Sequence, residues 1–119
     1  MKAKNKRAYN QKRKDFIFFS ISVIILLVVI EQILVISHEK VHSEIYKEYG
    51  IDSETHIRFL EGYVKPIVNN QTTQIYLENY KTINALHSVN EIFGYQIDLI
   101  LVAISIYTVM LGALIILFK

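Results

Sequence analysis

Two uncharged apolar runs dominate this 119-residue chain and leave few ways to fold it. The block 16–37 opens with FIFFSISVIILLVVI, fifteen residues without a charge, and none of the 20 residues from Leu99 to Phe118 is charged. A bilayer's hydrocarbon core takes roughly 20 residues of helix. Each block is therefore long enough to cross it as a helix, which satisfies its own backbone polar groups. The rest of the chain is too short to bury two such segments in a soluble core. The expected fold is all-α: a two-span transmembrane helical hairpin with a short helical extracytoplasmic insertion. Its expected divisions are a basic tail over 1–15, a first span over 16–37, an outer region over 38–96 and a second span over 97–118.

Charge orients this hairpin. Residues 1–15 hold seven basic residues and one acid, whereas 38–96 hold five basic and eight acidic residues. Positive charge stays on the cytoplasmic side. Both termini are expected inside, with the central region outside a plasma membrane, and Lys119 agrees. A basic stretch before an apolar run is also the pattern of a cleaved signal peptide. Here the apolar run is longer than a usual signal core and ends without an A-x-A site, so an uncleaved anchor is expected. Orientation and anionic lipid account for the basic tail, and nucleic acid is not an expected partner. The chain has no Cys, which excludes disulfides and thiolate metal sites. It also lacks a glycine-rich phosphate loop and a serine-nucleophile elbow.

Between the spans, the first helix is expected to start near Asp15 and to run on to Gly50, a natural helix stop. Asp52 or Ser53 would cap a short helix through THIRFLEGYV that ends before Pro66. A polar loop follows at 69–72, where Asn70-Gln71-Thr72 matches a glycosylation acceptor. The second long helix would begin near Thr73 and bend at Gly94. On it Tyr76, Tyr80, Ile83, His87, Asn90 or Glu91, Gly94 and Asp98 recur at helical spacing as one stripe.

His38-Glu39-Lys40-Val41-His42 is an H-E-x-x-H string at the outer end of the first span. On a helix its two histidines share one face and can hold one metal ion, with Glu39 beside them as a general base. A third ligand must come from elsewhere. Glu91 and His87 sit one turn apart on the second helix, and they reach the same outer surface as His38 and His42. Each also has a plainer role: the histidines as interfacial polar residues, Glu91 as a capping or pairing group. Glu31 and Asp98 lie in or beside the apolar runs, where charge is costly. Either they support a histidine, or they face the opposite helix and stay protonated. His56, Arg58 and Tyr95 are candidates to stabilise an oxyanion.

HEKVH together with Asn90-Glu91 resembles the gluzincin class of zinc metallopeptidases. HEKVHSEIYKEYG also looks like the motif helix of membrane metalloproteases that cut near the bilayer. The resemblance implies Zn2+ held by His38, His42 and Glu91, with Glu39 taking a proton from water as it attacks a carbonyl. The substrate would be a peptide or a membrane protein. The chain carries no Leu-Asp-Gly ligand motif of the site-2 type and is shorter than usual members. A homo-oligomer or a larger membrane partner would then complete a substrate cleft. The alternative is a non-catalytic two-span protein: a complex subunit, a pore or lysis-type element, or a metal-binding scaffold. Convergence of His38, His42 and Glu91 separates the two.

Overall fold

A computed structural model describes residues 2–118; Lys119, used above in the charge argument, lies outside the described residues. Helix α1 spans Lys2–Glu48, strands β1 and β2 span Asp52–Arg58 and Glu61–Ile67, and helix α2 spans Thr73–Phe118. The fold is mostly helical, with two long apolar helices, but the short helical insertion expected between them is a two-stranded antiparallel sheet.

Helix α1 begins well before Asp15. Residues 2–14 contain no Gly or Pro and are rich in Lys, Arg, Ala and Gln, all good helix formers. At its far end Gly50 adopts φ +68° and stops the helix as expected. The Gly50 N–H donates to the Lys47 carbonyl (2.9 Å) and the Ile51 N–H to the Tyr46 carbonyl (3.0 Å). This is the Schellman pattern, completed by the contact of Ile51 with Tyr46 in the core. Helix α2 starts at Thr73 behind an Asn69 side chain that accepts from the Gln71 and Thr72 N–H groups, at 2.9 and 3.0 Å. It runs through Gly94, where a bend was expected, as one continuous helix.

The hairpin replaces the expected helix over THIRFLEGYV. Its β-branched and aromatic residues (Thr55, Ile57, Tyr63, Val64) suit a pleated surface, and Thr55 pairs with Val64 and His56 with Tyr63. The turn is only Phe59–Leu60, with Leu60 left-handed at φ 57°. That conformation costs a residue with a side chain roughly 1–2 kcal/mol. Gln32 on α1 offsets it: its Oε1 accepts from the Leu60 N–H (2.8 Å) and its Nε2 donates to the Arg58 carbonyl (3.3 Å).

Two further contacts lay the hairpin along α1. The Ser43 and Ser53 hydroxyls meet at 2.9 Å, and Glu39 packs under Gly62. The lengths agree. The eight residue steps from Ile51 to Phe59 cover about 26 Å at strand rise, and the eighteen from Gly50 back to Gln32 cover about 27 Å at helical rise. The hairpin thus retraces α1 from its end to the level of Gln32.

The chain divides into two compact units. One contains the apolar runs. Each long helix carries a window of mean hydropathy 2.7 of which only 0% and 6% is buried by protein. Side chains such as Phe18, Leu99 and Met110 stand exposed, so these helices are apolar surfaces without a protein cover, long enough to cross a membrane. Within this unit the Phe19 ring lies so close over Gly112 that a Cβ there would overlap it.

The second unit, Ile30–Asp98, holds the small core. Ile51 and Ile83 are fully buried and Tyr46 nearly so, with Ile45, Tyr49, Val64 and Tyr76 packed around them. Burying each isoleucine contributes about 2 kcal/mol. This core fastens the end of α1, the base of the hairpin and the first half of α2 to one another, which holds the motif residues next to α2.

Candidate metal centre

His38 and His42 lie one turn apart on α1, and Glu91 reaches them from α2. His42 Nε2 is 3.1 Å from His38 Nε2 and 3.0 Å from Glu91 Oε1, and His38 Nε2 is 3.4 Å from the same oxygen. Three ligands of a tetrahedral zinc, each about 2.0–2.1 Å from the ion, stand about 3.3 Å apart. The triangle has those edges. His38, His42 and Glu91 are therefore a group that could hold a metal ion.

Burial grades across the site. The His42 side chain is 9% exposed, His38 21% and Glu91 48%. A metal at this triangle would face protein on the His42 side and open space on the Glu91 side. That open side leads into a cavity of about 450 Å³. His38, Glu39 and Glu91 stand in its wall with the apolar residues Leu34, Leu60 and Phe93. Glu39 is buried at 7% exposure. It is not one of the three grouped ligands; it occupies the cavity wall beside them, beneath Gly62 of β2.

The residues around the triangle fix its rings. His87, the substitute third ligand of the sequence argument, lies behind His42 instead: the Nδ1 atoms of the two rings meet, with centroids 4.6 Å apart. Burial holds the His87 pKa below its ordinary value; the neighbouring His42 pushes the same way and Glu91 opposes. Its Nε2 is buried without a hydrogen-bond partner among the described residues, and Tyr46 closes over the ring with centroids 4.7 Å apart. On the other side, the Asn90 amide is 3.4 Å from His38 Nδ1 and donates to the His38 carbonyl at 3.3 Å. The His38 ring also lies against Gly94, where an added Cβ would come within 2.9 Å of two ring atoms.

The other sequence candidates separate by position. Tyr95 and Asp98 stand in the cavity wall. Glu31 and Asp98 lie near each other. His56 pairs with Glu54 at 3.4 Å and stacks on Tyr63, and Arg58 pairs with Glu61 at 3.7 Å. Neither His56 nor Arg58 is among the residues lining the cavity. Reasoning from sequence missed Gly62 and Gln32, and it placed Asn90 and Gly94 on the stripe without their contacts to His38. Gly62 and Gly94 matter only through close approach of another element, which a one-dimensional pattern does not display.

No protein-family model, no curated protein and no solved structure matches this chain.

Proposed function

We propose that this chain is an integral membrane zinc peptidase that hydrolyses peptide bonds at the outer membrane surface. The observation that carries the proposal is the His38–His42–Glu91 triangle, with ligand separations of 3.0–3.4 Å, opening on a cavity that also contains Glu39. Bound there, zinc would supply a Lewis acid and lower the pKa of nearby water toward neutrality. His38 and His42 would hold it through Nε2. Glu91, the most exposed of the three, would complete the ligand set. Glu39 would take a proton from the attacking water and return it to the leaving amine. Tyr95 on the cavity wall is the available donor to a developing oxyanion.

The two apolar helices support the membrane reading. The excess of basic residues over 1–15 supports cytoplasmic termini with the site outside, in a plasma membrane. The open cavity leaves room for a substrate segment from a peptide or a neighbouring membrane protein.

Metal content and hydrolysis, measured on the purified full-length chain, test the proposal. The native chain should carry one zinc, and His42→Ala should lose it. Glu39→Gln should keep zinc and lose cleavage of a fluorogenic peptide library. Full activity in Glu39→Gln would sink the chemistry; zinc without cleavage in the native chain would leave a metal-binding scaffold.

A further inference from the structure

We propose that the hairpin tip, Phe59–Leu60, is seated in the headgroup–acyl boundary of the bilayer, so that the outer unit grips the membrane independently of the two spans. The proposal rests on the membrane reading above, and not on the metal.

Depth is the first argument. The hairpin runs back along α1 until its tip is tied to Gln32, two residues beyond the uncharged run that ends at Ile30. Six residue steps of helix lead from Gln32 to His38, so the tip lies about 9 Å farther along α1 toward the first apolar run than the metal triangle does.

Composition is the second. A hairpin turn in water usually carries Gly, Asn or Asp, but this one is Phe-Leu. Phe59 is 73% exposed, and Leu60 and Ile57 are 40% and 39% exposed. Phe93 and Tyr95 of α2, both exposed, line the same cavity as Leu60. Exposed aromatic residues beside a long apolar helix suit a membrane interface.

Backbone satisfaction is the third. In water, the Leu60 N–H and the Arg58 carbonyl would find partners at no cost. Here one side chain from α1, Gln32, supplies both. Internal satisfaction of this kind is required where water is scarce. The Arg58–Glu61 ion pair at the neck of the turn fits the polar headgroup layer just above.

The chain contains no Trp, so a single substitution gives a unique reporter. The full chain is reconstituted into phosphatidylcholine vesicles with or without lipid brominated near the headgroup end of its acyl chains. Emission from Phe59→Trp should be blue-shifted relative to Asn69→Trp, which sits at the opposite end of the hairpin. Brominated lipid should quench Phe59→Trp and leave Asn69→Trp unchanged. Ile57→Trp provides a second reporter with the same expectation should Phe59→Trp not fold. Ile24→Trp in the first apolar run reads the membrane itself. Quenching at position 24 without quenching at 59 or 57 overturns the proposal while the spans stand. Absence of quenching at 24 overturns the membrane reading and takes the proposal with it.

Discussion

His42 divides its two ring nitrogens between two tasks: Nε2 faces Glu91 and His38, while Nδ1 meets the Nδ1 of His87. A histidine that ligates a metal through Nε2 carries its proton on Nδ1 and needs an acceptor there. His87 is that acceptor, and burial, which disfavours its charged form, keeps it neutral enough to serve. Replacing it by Phe keeps the ring's bulk and removes the acceptor. Zinc affinity, read by calorimetry on the purified chain, should fall about 10- to 100-fold. His87→Asn, whose side-chain oxygen accepts from a similar position, should recover much of the loss. Equal affinities in all three proteins would show that His42 needs no orientation.

The same residue sets a pH dependence in the metal-free protein. The folded-state pKa of His87 is depressed, so the unfolded chain takes up a proton that the folded site refuses. Stability therefore rises with pH between the lowered folded value and the ordinary value of about 6.5. This contribution is full above about pH 6.5 and is lost as pH falls through that window. Thermal unfolding in detergent should show a lower midpoint at acid pH, with a shallower slope in His87→Phe. An unchanged slope would assign the acid sensitivity to other groups.

Gly94 tests whether close approach, and not helix stability, governs the site. Alanine there improves helix propensity by about 1 kcal/mol, yet its Cβ would stand 2.9 Å from the His38 ring. The ring must move. Gly94→Ala should melt no earlier than the native chain and bind zinc more weakly, a combination that ordinary destabilisation does not produce. Native affinity in this variant would mean that His38 shifts freely.

The two long apolar helices were plain in the sequence because uncharged runs of that length, without Pro, favour continuous helix. Helix termination at Gly50 was equally local, requiring only a left-handed glycine after the last apolar turn. The meeting of His38, His42 and Glu91 could be argued from depth alone, since both helices emerge from the apolar runs at the same outer level. The hairpin could not. Its turn residues, Phe59 and Leu60, carry no hairpin signal, and its stability depends on Gln32, 28 residues from Leu60. His87 was legible as a neighbour of Glu91 but not as the partner of His42 Nδ1, because helical spacing gives a face and not which atom faces which.

Gly62 gives the sharpest separation of binding from chemistry. A Cβ on Gly62 would come 2.6 Å from Glu39 Cγ and 3.1 Å from its Cδ, so Gly62→Ala must displace the Glu39 side chain. Glu39 lies outside the ligand triangle, and zinc content should stay at one per chain. A general base moved by about an ångström loses its alignment with the attacking water, and peptide cleavage should drop about a hundredfold. The pair of measurements, metal analysis and hydrolysis on one preparation, reads both effects together. Loss of zinc in Gly62→Ala would show that the hairpin braces the ligands themselves. Undiminished cleavage with zinc in place would remove Glu39 from the proton transfer.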